Sequence, residues 1–147
     1  MSERKAPASR SDYHAFLPIQ TRWMDNDIYG HMNNVVHYSL FDTAVNGWLV
    51  SAGLLKPRAG EHIGLVVETG CKYFAEMMFP DIIHAGIRVA RIGSSSVRYE
   101  VGLFRNDEEH ASAEGFFVHV YVDRETRRPK ALSDQWRATL ETILIRE

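Results

Sequence analysis

The chain has 147 residues, 45% of them hydrophobic, which suffices for one core and falls short of two comfortable domains. Its 17 basic and 19 acidic residues leave a formal net charge of -2, so no overall basic field favours nucleic acid. No apolar run approaches the roughly 18 residues of a membrane span, and the start lacks a signal-peptide core; a cytoplasmic protein with no membrane partner is expected.

Residues 1–11 (MSERKAPASRS) are small, charged and proline-bearing, the composition of a flexible arm ahead of a single domain over 12–147. Residues 13–23 (YHAFLPIQTRW) read as a first strand, and Pro18, which cannot donate to a ladder, places it at an edge, a bulge or a later start. Two acids follow, Asp25 and Asp27, then a turn at Tyr29-Gly30, then His31 and the pair Asn33-Asn34. Val36, Leu40, Phe41, Ala44, Val45, Trp48, Leu49 and Ala52 recur at the three-and-four spacing of one helix face. An Asn side-chain oxygen can accept from the free N–H groups of a first turn, so the helix is expected to start near Asn33 or Asn34. Gly53 fits its end, and the segment to residue 61, with Pro57 and Gly60, reads as a loop that either covers a pocket or is a spacer.

Residues 63–74 alternate with the period of a strand, and 82–92, 97–105 and 113–122 are three more at hairpin spacing, forming an antiparallel meander. Their turns, Gly93-Ser94-Ser95 and Asn106-Asp107-Glu108-Glu109, carry the residues that turns demand. Cys71, the single cysteine, rules out an intramolecular disulfide; it sits in an alternating strand without an adjacent base, which favours packing over nucleophilic chemistry. A start at Ser133-Asp134 followed by Trp136, Leu140, Ile143 and Leu144 predicts a short terminal helix. A long helix and an antiparallel sheet must each cover an apolar face, and a curved sheet wrapped around the helix does both. The fold class is α+β. The 113–122 strand is apolar or aromatic on both faces, which suggests a further copy covering it.

A helix N-terminus presents unpaired N–H groups and about half a positive charge, so it polarises a carbonyl placed there and stabilises an oxyanion. A carboxylate beside the same carbonyl can attack it or take a proton from a water that does. The spelling D-x-D-x-x-G-H-x-N-N from Asp25 to Asn34, followed by an apolar helix, resembles the hotdog-fold thioesterases of the 4-hydroxybenzoyl-CoA thioesterase type. The resemblance covers nearly the whole chain after Ser11 and implies a hotdog fold. It implies hydrolysis of an acyl-CoA or acyl-carrier thioester with Asp27 as the catalytic carboxylate. The helix-start amide that polarises the carbonyl falls at or next to Asn34, and Asn33, His31, Gly30 and Tyr29 line the site. It also implies a homodimer joined sheet edge to sheet edge, often paired into a tetramer.

Asp25 reads as structural, bound to loop amides or to Arg22. Asp42, inside the helix, is the rival carboxylate, since other hotdog thioesterases carry their acid there; the stretch GHMNN lacks the double glycine those relatives place at the cap. His37 departs from the family pattern, which more often has Tyr three residues after the second Asn. Tyr29, Phe41 and Trp48 are candidate pocket aromatics, and equally core. Arg88, Arg91 and Arg98, flanking the turn with Ser94, Ser95 and Ser96, are candidates for the coenzyme A phosphates. No cofactor is expected, and no metal, because the His and acidic residues lack ligand spacing such as H-E-x-x-H. Two other classes stay open: a hotdog hydratase or dehydratase pairing His31 with an acid, and a noncatalytic acyl-CoA binding protein.

Overall fold

A computed structural model describes residues 6–55 and 62–145. The elements are β1 (Ala15–Gln20), α1 (Val36–Ser51), β2 (His62–Tyr73), β3 (Ile82–Ile92), β4 (Ser96–Arg105), β5 (Ala113–Asp123) and α2 (Asp134–Glu141). The strands form one antiparallel sheet in the order β1-β3-β4-β5-β2. The sheet curves around α1 as a hotdog fold. β3, β4 and β5 are the expected meander, whereas β2 leaves chain order and pairs with β5. Bulges interrupt the ladders between Val66 and Glu68 on β2 and between Val89 and Arg91 on β3, and each adds local bend and twist to its strand.

α1 turns Leu40, Phe41, Ala44, Val45 and Leu49 into the core, as the spacing predicts, and buries His37 as well, which the stripe did not include. They meet Ile83, Ala85, Ile87, Tyr99, Val101, Ala113 and Phe117 from the sheet. Each such apolar side chain removed from water contributes about 1.5–3 kcal/mol, which is why a helix with a continuous stripe docks in the sheet's concavity. α2 starts as expected at Ser133, whose hydroxyl accepts from the Trp136 N–H at 3.2 Å, and buries Trp136 and Leu140. Pro18 lies on β1, an edge strand paired only to β3.

Four local readings change. β1 is shorter than 13–23, because Trp23–Asp25 winds into a 3-10 turn that lets Asp25 reach back to Arg22. α1 begins at Val36 rather than at Asn33 or Asn34, since the Asn33 side chain closes its own turn on the Val35 N–H ahead of the helix. The arm expected to be free over 1–11 is docked from Ala8 onward: Arg10 donates to the carbonyls of Glu108 and Asn106, and Ser9 bridges His110. Residues 1–5, and the part of the expected pocket-covering loop over 56–61, lie outside the described residues. Finally, β5 is interior, with both edges paired and Phe117 and Tyr121 buried, while Phe116, Val118 and Val120 on its other face stay partly exposed. The exposed apolar edge belongs to β2, at Leu65, Val66 and Val67.

Two buried histidines make stability depend on pH. His37 and His119 each keep a ring nitrogen without a hydrogen-bond partner, and burial pushes both pKa values below the ordinary 6.5. For His37 burial outweighs the opposing pull of the Asn33 and Asn34 backbone. The unfolded chain regains the ordinary value and binds more protons below it, so stability is level above about pH 6.5 and falls as pH drops through the folded values. His31 is shifted upward and works in the opposite sense, from a half-buried position. The melting temperature is therefore expected to fall between about pH 7.5 and about pH 5, and to fall less in His119→Gln. A melting temperature flat across that range would contradict the assignment.

Candidate active site at the start of the central helix

The stretch between β1 and α1 is tied at both ends by Asp25. One carboxylate oxygen accepts from the Arg22 N–H at 2.8 Å and the other from the Arg22 guanidinium at 3.0 Å, while the Asp25 carbonyl accepts from the Asn33 N–H at 2.9 Å. With 2% exposure and its oxygens engaged, Asp25 is a structural acid, as expected. The loop it encloses is tight. The Asp27 N–H donates to the His31 carbonyl at 2.9 Å and the Gly30 N–H to the Asp27 carbonyl at 3.1 Å, with Gly30 at φ 85°, a conformation glycine adopts without strain. The β2–β3 connection braces it from outside: Met32 N–H donates to the Met77 carbonyl at 2.7 Å, and Phe79 N–H to Asn26 Oδ1 at 3.1 Å.

Asp27 is thereby oriented. Its Oδ1 accepts from the Tyr29 N–H at 2.8 Å, and its Oδ2 lies 3.7 Å from His31 Nδ1. The Met32 carbonyl, 3.1 Å from Nδ1, is the main influence raising the His31 pKa, with the Asp27 and Glu76 carboxylates adding to it. His31 and Tyr29 stack at 22°, with ring centroids 6.1 Å apart. At the helix start the Val35 N–H goes to Asn33 Oδ1 and the Val36 N–H to the Asn33 carbonyl. The Asn34 carbonyl accepts from the Tyr73 hydroxyl at 2.7 Å. Among the described residues the Asn34 N–H makes no hydrogen bond, which leaves it as a donor at the mouth of α1.

Two cavities without a shared lining residue flank this loop. One, of about 450 Å³, is bounded by Trp23, Asn26, Asp27, Ile28 and Gly30. The other, of about 350 Å³, is walled by His31, Asn34, His37, Tyr73, Glu76 and Met77, among others. The structure thus puts Asp27, Gly30, His31 and Asn34 around one loop, with His31 touching Asp27 and lining the second cavity. Tyr29 stands at its rim, 77% exposed, and Asn33 serves the turn. Tyr73, Phe74, Glu76 and Met77 were not foreseen. They end β2 or follow it, and nothing local in the sequence marks them; only the β2–β5 pairing brings them to the helix start.

The other candidates lie apart from the loop. Asp42 is exposed on α1 and accepts from the Asn46 amide at 3.0 Å, outside both cavities. Phe41 is core, and Trp48 packs at its margin. Arg88 and Arg98 both engage Glu100, at 2.9 and 3.3 Å, and lie over the rings of Tyr13 and Phe116. They line a third cavity, of about 530 Å³, that shares no residue with the other two. Arg91 is exposed, and the turn at Ser94, Ser95 and Ser96 is held by main-chain bonds from Leu132 and Tyr121 and by Arg137. The structure therefore does not gather the six proposed phosphate ligands at Asp27. Cys71 packs against the core, and burial pushes its thiol up to about 11, which keeps it protonated at neutral pH. No group of three metal-binding side chains occurs among the described residues, and no helix there is long and apolar enough to cross a membrane.

A hotdog domain with an oriented carboxylate beside the open end of its central helix defines a class built for carbonyl chemistry. The chain belongs to the thioesterase-like superfamily, which matches residues 21–140, and so to enzymes hydrolysing thioester bonds. It is similar to the PA5185 protein of Pseudomonas aeruginosa strain PAO1, at 50% identity and a TM-score of 0.91 over 95% of this chain and 97% of that one. Slr0204 of Synechocystis, a 1,4-dihydroxy-2-naphthoyl-CoA thioesterase, shares the fold at 16% identity and a TM-score of 0.77, over 85% and 93%. So does a thioesterase from Thermus thermophilus complexed with coenzyme A and Zn, at 24% identity and 0.74, over 90% and 95%. The match is to the superfamily, coarser than the 4-hydroxybenzoyl-CoA type the motif resembles.

Proposed function

We propose that the protein is an acyl-CoA thioesterase in which Asp27 attacks the thioester carbonyl or activates a water, while the Asn34 N–H, just ahead of α1, polarises the carbonyl oxygen. The observation that carries this reading is the pairing of an oriented carboxylate with an unengaged Asn34 N–H across the Gly30 turn. The tetrahedral intermediate collapses to expel a thiolate. Because an unperturbed thiol has a pKa near about 8.5, the leaving group needs no strong general acid. His31, close to both Asp27 and the second cavity, holds the loop and faces the reacting group. The chemistry requires neither cofactor nor metal, and the Thermus relative bound to coenzyme A supports a coenzyme A ester as the substrate.

The test is release of free thiol from a panel of short, medium, long and aromatic acyl-CoAs. Turnover with any of them supports the reading, and none with all of them overturns it. The 3.7 Å approach of Asp27 to His31 is the one observation that favours acid–base chemistry on the acyl chain instead. An enoyl-CoA in the panel that loses its conjugated double bond without thiol release would mark a hydratase.

A homodimer joined through the open β2 edge follows from the resemblance and from the exposed Leu65, Val66 and Val67. Sedimentation at micromolar concentration is expected to give twice the 16.8 kDa chain mass or more; a single 16.8 kDa species would rule the dimer out.

A further inference from the structure

The cavity beside Asn34 is about 350 Å³, at the small end of ligand sites, which run from roughly 300 to 1,000 Å³. It suits a compact acyl group. Its wall is largely carbon, with one deeply buried polar exception. His37 is only 4% exposed, and its ring stands edge-on to Tyr73 at 4.7 Å between centroids; its Nδ1 is sealed from the cavity without a hydrogen-bond partner, so the opposite, Nε2 side of the ring forms the wall. The Tyr73 hydroxyl is already committed to the Asn34 carbonyl. A neutral imidazole always carries one donor and one acceptor, whichever tautomer is present, and a buried nitrogen left unpaired is costly.

Position gives the imidazole a use. His37 stands in the first turn of α1, where side chains tilt back toward the N-terminus, and lines the same cavity as Asn34, which lies just ahead of the helix. Its ring therefore sits within a few ångströms of a carbonyl held at the Asn34 N–H, the span from a thioester carbonyl to a substituent on the β-carbon. We propose that His37 is a specificity residue that hydrogen-bonds a hydroxyl on the acyl β-carbon, so that short 3-hydroxyacyl thioesters are preferred over their unsubstituted counterparts. The inference rests on the thioesterase reading and adds the substrate class to it.

Thiol release from 3-hydroxybutyryl-CoA and butyryl-CoA by wild type, His37→Leu and His37→Gln tests it, with calorimetric binding of the matching non-hydrolysable thioether analogues alongside. In wild type kcat/KM is expected to be at least about tenfold higher for the hydroxy ester, equivalent to ~1.4 kcal/mol. The ratio falls to near one in His37→Leu and largely returns in His37→Gln, whose amide keeps a donor and an acceptor. The dissociation constants of the analogues follow the same order. A wild-type ratio near one, or a preference that survives in His37→Leu, overturns the proposal. If neither ester is hydrolysed, the thioesterase reading has failed and the binding ratios alone decide: a hydroxyl preference lost in His37→Leu upholds the role of His37, and no preference ends it. Should His37→Leu not fold, His37→Phe, which keeps a ring against Tyr73, replaces it.

Discussion

Asp27→Asn is expected to lower thiol release at least about a hundredfold, the scale on which removing a general base or nucleophile acts, while the protein stays folded. The separation of the two effects comes from the local hydrogen bonds. Asn can present an oxygen to the Tyr29 N–H just as Asp27 Oδ1 does at 2.8 Å, and the main-chain bonds from Asp27 to His31 and from Gly30 to Asp27 are untouched. Only the negative charge disappears, and with it the capacity to attack a carbonyl or accept a proton from water. Because that charge also helps raise the His31 pKa, the variant's His31 should titrate at lower pH by NMR, a check that needs no substrate. Activity within a few-fold of wild type in a folded Asp27→Asn would remove the residue from the mechanism. Loss of turnover in Asp42→Asn alone would transfer the role to the helix acid, despite its exposed position beside Asn46.

The parts of this molecule legible in its sequence are those decided within a few residues. β3 occupies Ile82–Ile92, the bounds its alternation predicts, and the buried stripe of α1 follows the three-and-four spacing, because both patterns record which face meets the core. The loop from Asp25 to Asn34 was legible because its turn glycine, acids and capping amides are consecutive. What failed depends on distant partners. Asn33 has the composition of a helix cap, and its oxygen does accept an N–H, from Val35, but the turn it closes stands just ahead of α1, with its own N–H held by the Asp25 carbonyl. The order of the sheet was hidden because β5 takes β2 as its outer neighbour, a pairing between segments some fifty positions apart. The bond between Arg88 and Glu100 was hidden because it crosses from β3 to β4, whereas Arg98 meets the same Glu100 two residues along its own strand. The second cavity was invisible for the same reason, since β2's last residues reach α1 only through that pairing.

Gly115→Ala is expected to destabilise the fold by about 1–3 kcal/mol or more, the range for forcing extra volume into a packed interior. Gly115 lies on β5, opposite Val101 on β4 and Cys71 on β2, and faces Phe41 of α1. A methyl group there would overlap the Phe41 ring and come 2.9 Å from the Gly70 carbonyl. Phe41 has little room to yield: it is fully buried and meets Phe117 and Tyr38 edge-on, with centroids 6.1 and 5.9 Å away. For a chain of this size each kcal/mol moves the melting temperature by roughly 2–4 °C, so a fall of about 2–12 °C is expected. Phe41→Leu alone should also destabilise by opening a void, but in the Gly115→Ala background the shorter side chain makes room for the added methyl. The double variant should therefore be more stable than the sum of the two losses, by an amount a thermodynamic cycle reads directly. Because α1 rests on Gly115 through Phe41, and the Asn34 amide lies just ahead of its N-terminus, displacing the ring shifts the carbonyl-binding donor relative to Asp27. Thiol release in Gly115→Ala should accordingly fall even at temperatures where the variant is fully folded, since small misplacements of reacting groups are costly. A variant that melts and turns over like wild type would show that the sheet does not hold the helix at this point.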